Sequence, residues 1–288
     1  MQRSFVLGFF VGLLLAGTPC GAAAPRIGAG GVVGGARYLP DWHPQGGIAQ
    51  GSIFVIFGQD LGPENLEVVK EFPVPAELAG TRVQVVAGGV TLDCPVIYTS
   101  AGQAAAIMPS KTPLGQANVF VRYGGAVSNA APVRVVERAP GFFTLTQSGK
   151  GAAVVTDLDY TVNTMLQSFT PGAVVSFWAT GLGPRSHDDI AQVEDLRGQM
   201  DLQVLIGNQP AEVIYAGPSG CCAGLDQVIV KIPEETRDHC LVPVVMTADG
   251  MPSNIATMSV SSDGGACEVP GVLSEQDIET IGQGGTVP

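Results

Sequence analysis

The amino-acid sequence predicts an all-β protein made of two tandem antiparallel β-sandwich domains. The first observation is an internal repeat: the segment from Gly51 to Pro63 returns as the segment from Gly172 to Pro184, and each is an alternating apolar run that ends in Leu-Gly-Pro. Four further pairs of segments match in the same order, namely 83–86 with 202–205, 96–98 with 213–215, 103–109 with 227–233, and 128–129 with 253–254. A repeat of this extent indicates that one supersecondary unit was duplicated.

Length and composition support the same fold class. A chain of 288 residues suits two domains of roughly 100 to 150 residues each. Its 39 glycines and 21 prolines interrupt a sequence that is 45% hydrophobic, which is typical of many short strands joined by tight turns. Because a half-buried strand needs a second sheet against which to bury its apolar face, these strands are expected to form sandwiches.

The first 23 residues are predicted to be a signal peptide. Arg3 supplies the positive charge, residues 5–16 are apolar, and small residues precede a cleavage site after Ala23. An uncleaved membrane anchor and lipid attachment at Cys20 are the alternatives. The apolar run is shorter than the ~20 residues that a spanning helix needs, and the dipeptide before Cys20 makes a poor lipidation motif.

The rest of the chain divides into four predicted segments: a glycine-rich linker at 24–31, a first domain at 32–137, a second domain at 138–262, and a disulfide-tethered polar tail at 263–288. The predicted strands of the first domain are a lead-in at 32–33, then 53–57, 81–86, 96–99, 104–108, 118–123 and 132–136. Those of the second domain are 152–156, 174–178, 202–206, 211–215, 227–232, 242–247 and 256–260. In the tail, Ser274 and Asp277 resemble an N-cap pair for one helical turn.

The repeated strand with its Leu-Gly-Pro ending resembles the signature of immunoglobulin-like domains of the IPT/TIG type. A wider set of segments, comprising 139–144, 179–184, 213–217, 225–228, 232–233 and 253–254, resembles an exported, uncharacterised immunoglobulin-like family known as the Solibacter C-terminal domain family. The resemblance covers most of the chain from Val32 to Cys267. It implies a secreted or surface-exposed module with no enzymatic activity, and it supplies no catalytic residues.

Five cysteines follow the predicted cleavage site, and four of them are the disulfide candidates: Cys221, Cys222, Cys240 and Cys267. In an oxidising compartment, we expect one sulfur of the adjacent pair to bond Cys240 and the other to bond Cys267, with either assignment open. A bond between Cys221 and Cys222 is an alternative. A zinc site that adds His239 fits less well, because adjacent cysteines reach tetrahedral positions poorly. Cys94 is expected to be a buried free thiol or an intermolecular bridge.

Signals for catalysis or cofactor binding are weak, so we predict no catalytic residues, no metal and no cofactor. Ser186, His187 and Asp188 are neighbours in sequence, which points their side chains in diverging directions and argues against a hydrolytic triad. The acidic pairs at 157–159 and 188–189 lack the spacing of a calcium loop. Among the aromatic residues, Tyr38 and Trp42 are the possible ligand contacts. The remaining candidates, Tyr98, Trp178 and Tyr215, lie on repeated strands and are expected in the core.

Charge limits the choice of partner. The chain carries 26 acidic and 14 basic residues, a formal net charge of −12, so nucleic acid is an unfavourable partner. No later segment is long and apolar enough to span a bilayer, so we expect no transmembrane segment after signal cleavage and a location in the periplasm, at the cell surface or outside the cell. The sequence therefore predicts a non-catalytic surface adhesion, scaffold or interaction module that binds a protein or a glycan. The alternatives are a carbohydrate-binding accessory module and, less favoured, a hydrolase with its site between the two domains.

Overall fold

The computed structural model describes residues 23–287. Nearly all of the predicted signal peptide lies outside the described residues. Within residues 23–287, no helix is long and apolar enough to cross a membrane.

Twelve strands form the first sandwich. They are β1 (Arg26–Gly34), β2 (Ile48–Ala49), β3 (Ile53–Gln59), β4 (Glu67–Val68), β5 (Glu77–Leu78), β6 (Thr81–Ala87), β7 (Val90–Cys94), β8 (Val96–Thr99), β9 (Gln103–Ile107), β10 (Gly115–Tyr123), β11 (Ala126–Val127) and β12 (Ala131–Val136). One sheet has the order β1-β3-β9-β8-β4 and the other β2-β12-β10-β6-β5, with β7 on β6 and β11 on β10. Alternate residues such as Val83 and Val85 of β6 are fully buried between the sheets.

Ten strands form the second sandwich. They are β13 (Gly141–Phe142), β14 (Val155–Thr156), β15 (Val174–Thr180), β16 (Leu202–Ile206), β17 (Gln209–Pro210), β18 (Glu212–Pro218), β19 (Asp226–Lys231), β20 (His239–Ala248), β21 (Met251–Pro252) and β22 (Ala256–Val260). One sheet has the order β13-β15-β19-β18, with β14 on β15, and the other β17-β16-β20-β21, with β22 on β20. The predicted fold class of two tandem immunoglobulin-like sandwiches is confirmed.

The duplication extends to individual hydrogen bonds. Asn129 accepts a bond from the Ile27 amide at 2.9 Å and donates one to its carbonyl at 3.2 Å. Asn254 does the same to Phe142, at 2.8 and 3.0 Å. The serine before each asparagine accepts from a strand amide, at 2.9 Å in the first copy and 3.0 Å in the second. The repeated Ser-Asn pair therefore fastens the first strand of each sandwich.

The predicted linker at 24–31 is wrong, because β1 begins at Arg26. Ile27 is buried, and its backbone amide and carbonyl are both hydrogen-bonded to the Asn129 side chain. A bulge between Ile27 and Val32 contains Gly30 at φ +62°, so the glycines bend a strand instead of ending it. The sandwiches also depart from a purely antiparallel pattern, since β12 pairs in parallel with β2.

The tail is tethered by a disulfide between Cys240 and Cys267, whose Cα atoms are 5.1 Å apart. The expected bonds from these cysteines to Cys221 and Cys222 are therefore wrong, and both members of the adjacent pair are free. The reason lies in the path of their loop, which places Ala223 against Val74 and Ile107 of the first sandwich, away from the tail.

The polar tail ends in a longer helix than the single turn predicted. Helix α1 spans Glu275–Gly282, and Ser274 and Asp277 form a reciprocal capping box. Ile278 is buried against the Cys240–Cys267 bond. Packing of this one apolar side chain, together with the cap, accounts for the second turn.

Candidate functional site

Hydrogen bonds fix the two sandwiches against each other. The Ile53 amide at the start of β3 donates to Thr180 Oγ1 at the end of β15, at 3.0 Å. The Ser110 amide donates to the Asp188 carboxylate at 2.8 Å, and the Ser110 hydroxyl donates to the same carboxylate at 2.5 Å. The Val74 amide adds a bond of 2.7 Å to the backbone carbonyl after Asp188. These contacts lie on three separate segments of the first sandwich and resist hinge motion.

The connection between the sandwiches is anchored by a buried arginine. The Arg138 guanidinium donates to the Leu182 carbonyl at 2.9 Å, the Gln199 carbonyl at 2.7 Å and the Asp249 carboxylate at 2.5 Å. All three partners belong to the second sandwich. Position 183, where φ is +119°, requires glycine, because a Cβ there would overlap the Arg138 guanidinium.

A groove of about 460 Å³ runs between the sandwiches, a size within the usual range for ligand sites. One wall is the outer face of the first sandwich, and the other is the segment that follows β13. The lining residues of the first wall are Gly35, Ala36, Tyr38, Ile53, Val55, Ile97, Tyr98 and Ala105, and those of the second are Phe143, Thr144, Leu145, Gln147, Gly149 and Val154.

The lining has a distinct chemistry. None of these fourteen residues is acidic or basic, although the whole chain has a net charge of −12. Burial raises the pKa of Tyr38, and burial together with the repulsion that two ionised phenols would feel raises the pKa of Tyr98. Both phenols are therefore protonated and uncharged at neutral pH. Tyr98 also accepts a bond of 2.5 Å from the Gln103 amide group, which fixes its ring.

Each wall holds one side chain on a strained backbone. Tyr38 has φ +54° and Gln147 has φ +53°, a left-handed conformation that residues other than glycine seldom adopt. Each is expected to raise the free energy of the folded state by about 1 to 2 kcal/mol. Both residues close turns, since the Tyr38 amide donates to the Gly34 carbonyl at 3.1 Å and the Gln147 amide donates to the Thr144 carbonyl at 2.9 Å. Strain of this kind concentrates at binding sites, which makes the groove the leading candidate site.

The structure separates the two aromatic residues predicted to contact a ligand. Tyr38 lines the groove. Trp42 is 79% exposed, is absent from the lining, and lies tilted by 56° against the His43 ring with centroids 6.3 Å apart.

The expectation that Tyr98, Trp178 and Tyr215 lie in the core is wrong, since all three are half-buried. Strand alternation explains this, because Phe177 occupies the core position of β15 and its neighbour Trp178 must face outward. Trp178 stacks on Tyr160, with centroids 6.2 Å apart. Sequence analysis also missed Tyr98 as a groove residue, because it assigned the whole repeated strand to the core. The alternation of apolar residues around Tyr98 was the signal that could have placed it on the outer face.

The hydrolase alternative gains no geometric support among the described residues. Asp188 is hydrogen-bonded to Ser110, and neither residue lines the groove.

No cluster of three or more histidine, cysteine, aspartate or glutamate side chains suited to a metal occurs in residues 23–287. The Asp157 carboxylate instead accepts two backbone bonds within its own turn, at 2.9 and 2.8 Å.

A buried ion pair supports the interface from within the second sandwich. Arg185 Nη2 donates to the Asp226 carboxylate at 2.8 Å, and the two side chains are 1% and 0% exposed. Asp226 also accepts a bond of 3.0 Å from the Leu182 amide. Burial raises the pKa of Asp226, while the positive charge of Arg185 and the amide bond oppose that shift. Sequence analysis missed this pair, since the two residues are 41 positions apart.

The free thiols differ in environment. Cys94 is fully buried, and burial raises its pKa. Cys221 is exposed and Cys222 is half-buried. Burial, then a hydrogen bond and charge repulsion with Cys221, raise the pKa of Cys222 to about 12.

No protein-family model and no curated protein matches the sequence. Among solved structures, the chain is similar to the extracellular region of plexin A4 (15% identity, TM-score 0.29, covering 85% of this chain and 19% of that one). It is also similar to a Bacteroides ovatus SGBP-B from a mixed-linkage glucan utilization locus (14% identity, TM-score 0.31, covering 74% and 42%). Domains 5–6 of the S-layer protein SbsC match at 14% identity and a TM-score of 0.27, covering 82% and 98%.

The chain spans less than half the length of the plexin and the glucan-locus protein that it matches. Likeness at these identities and scores leaves function open, and the fold class rests on the strand pairing described above.

Proposed function

We propose that this protein is an exported, non-catalytic binding module that holds its partner in the groove between its two sandwiches. The observation that carries the proposal is the groove itself, with its uncharged lining and its strained residues Tyr38 and Gln147 on facing walls. The turns at Tyr38 and Gln147 hold these side chains in one position, which suits a preformed ligand site.

Fixed geometry supports a binding role. The bonds of Ser110, Ile53 and Arg138 hold the walls in place before any ligand arrives. A preformed site loses little conformational entropy when the ligand binds.

An extracytoplasmic location is supported by the Cys240–Cys267 disulfide, since such bonds persist in oxidising compartments. The predicted signal peptide agrees with it. The resemblance to the Solibacter C-terminal domain family stays a prediction.

A neutral saccharide is the second candidate within the same site. The C–H faces of a sugar ring pack on aromatic rings such as Tyr38 and Tyr98, and its hydroxyls pair with amide and hydroxyl groups such as those of Gln147 and Thr144. An uncharged lining in a strongly acidic protein favours an uncharged ligand over an anionic one.

The test uses the mature protein on an array of neutral and acidic glycans, in parallel with a pull-down from the native cell envelope. Tyr38→Ala removes a groove ring. Tyr160→Ala is the matched control, because Tyr160 also has a positive φ (+64°) and is exposed outside the groove. We expect capture of a neutral glycan or a surface protein to be lost in Tyr38→Ala and kept in Tyr160→Ala.

The alternatives give different results. Glycan binding would select the carbohydrate candidate, and capture of a protein with no glycan signal would select adhesion. Loss of binding in Trp42→Ala with full binding in Tyr38→Ala would contradict the groove as the site.

A further inference from the structure

The loop between β18 and β19 carries two free thiols side by side, Cys221 and Cys222. The same chain forms a disulfide elsewhere, at Cys240–Cys267. The two pairs differ in the distance between their Cα atoms, and this distance determines how strained a disulfide in each pair would be.

Neighbouring Cα atoms joined by a peptide bond are about 3.8 Å apart in trans and about 2.9 Å in cis. An unstrained disulfide spans about 4.4 to 6.8 Å between Cα atoms, and Cys240–Cys267 lies inside that range at 5.1 Å. A bond between Cys221 and Cys222 would fall outside it. Strained and exposed disulfides are the ones that are reduced easily.

The two cysteines are held side by side by one serine. The Ser219 hydroxyl lies 3.5 Å from the Cys221 sulfur and accepts a bond of 3.3 Å from the Cys222 backbone amide. Cys221 is open to solvent, whereas Cys222 is half-buried behind it. An incoming reagent therefore meets Cys221 first, with Cys222 in position to complete the reaction.

We propose that Cys221 and Cys222 form a reversible dithiol–disulfide site, oxidised by small-molecule disulfides such as oxidised glutathione. The Cys221 thiolate attacks one sulfur of the oxidant, forming a mixed disulfide and releasing one thiolate. Cys222 then loses its proton and attacks the Cys221 sulfur, releasing the second thiolate. The protein loses two electrons and two protons, and the oxidant disulfide becomes two thiols.

The site is joined to the interface of the sandwiches. Ala223 is buried against Val74 and Ile107, and the next carbonyl, of Gly224, accepts a bond of 2.9 Å from Thr180 Oγ1. The same Thr180 oxygen accepts the bond from the Ile53 amide. Closing the strained ring at 221–222 must shift these neighbours, so oxidation is expected to change the packing around Ile53.

The experiment equilibrates the mature protein in glutathione buffers from fully reduced to fully oxidised, then alkylates it under native conditions and maps the cysteines by mass spectrometry. We expect Cys221 to be alkylated in reduced buffer, and Cys221 and Cys222 to be bonded to each other in oxidised buffer. The Cys240–Cys267 bond should persist throughout. Amide exchange at Ile53 and Ile107 should differ between the two forms.

Cys222→Ser is the matched variant, since Cys221 alone should stop at the mixed disulfide and retain one glutathione. A thermal melt checks that this variant folds like the parent. The proposal is overturned if both thiols stay free in oxidised buffer, if each acquires a glutathione, or if the bond that forms joins two protein molecules.

Discussion

Replacing Asp226 by asparagine is expected to destabilise the second sandwich severely while leaving the first intact. The substitution keeps the size of the side chain and an oxygen that can accept the Leu182 amide bond of 3.0 Å. It removes the negative charge that lies 2.8 Å from Arg185. The guanidinium stays charged, because arginine is not deprotonated in proteins.

The expected magnitude follows from burial. The side chains of Arg185 and Asp226 are 1% and 0% exposed, so the remaining charge cannot recruit water. Removing one partner of such a pair lowers the free energy of unfolding by about 3 to 5 kcal/mol. We expect the lower end of that range, since asparagine still accepts a hydrogen bond.

Urea denaturation followed by Trp178 fluorescence measures this change, because Trp178 lies on β15 of the second sandwich. Asp195→Asn is the matched control. It breaks an ion pair with Arg197 in which both side chains are more than 40% exposed, and it should change stability by no more than about 0.5 kcal/mol.

A double replacement of Arg185 and Asp226 by leucine separates the charge from other effects, because buried pairs can be exchanged for apolar residues at little loss. It should recover most of the stability lost in Asp226→Asn. If Asp226→Asn proves as mild as Asp195→Asn, the ion pair does not hold this sandwich together and the reasoning fails.

Three further outcomes are expected. Cys267→Ser should lower the stability of the second sandwich and tail by roughly 3 to 4 kcal/mol for a 27-residue loop, whereas Cys221→Ser should leave it within about 0.5 kcal/mol; urea titration compares them. The Asp201 backbone amide and then the Arg138 guanidinium donate hydrogen bonds that lower the pKa of Asp249. Its contribution to the free energy of unfolding is therefore present above about pH 4 and is lost as the pH falls further; Asp249→Asn should flatten the acid limb of a stability–pH curve. Asp188→Ala should speed amide exchange at Ser110, and Asp189→Ala should not, because Asp189 uses only its backbone carbonyl.

The repeat in the sequence was enough to predict the fold class, because strand alternation and turn residues are local signals. Only the end of the first strand, at 32–33, was predicted, because the glycines before it resemble a linker. Only the distant clamp from Asn129 and the burial of Ile27 reveal a strand there. Close packing also explains why position 31 is glycine, because a Cβ there would lie 2.5 Å from the Phe57 carbonyl oxygen.

The candidate site was predicted only in part. Tyr38 was expected to be available to a ligand, but nothing local places it opposite Gln147, which lies more than one hundred residues away. The groove exists because two sandwiches pack at one angle, and that angle is set by pairs such as Ser110 with Asp188. Contacts of this separation leave no periodic signal in a sequence. The prediction of the disulfide pairing was wrong for the same reason, since the path of the inserted loop depends on its contacts with the first sandwich.

The fixed packing of the two sandwiches is the claim on which the groove depends, and residual dipolar couplings of the mature protein test it most directly. Amides of residues 26–136 and of residues 141–260 are measured in one weakly aligning medium. If the sandwiches are locked as described, one alignment tensor fits both sets in the orientation of the structure. Two tensors of different magnitude would mean that the sandwiches move independently, and the groove between them could not be a preformed site.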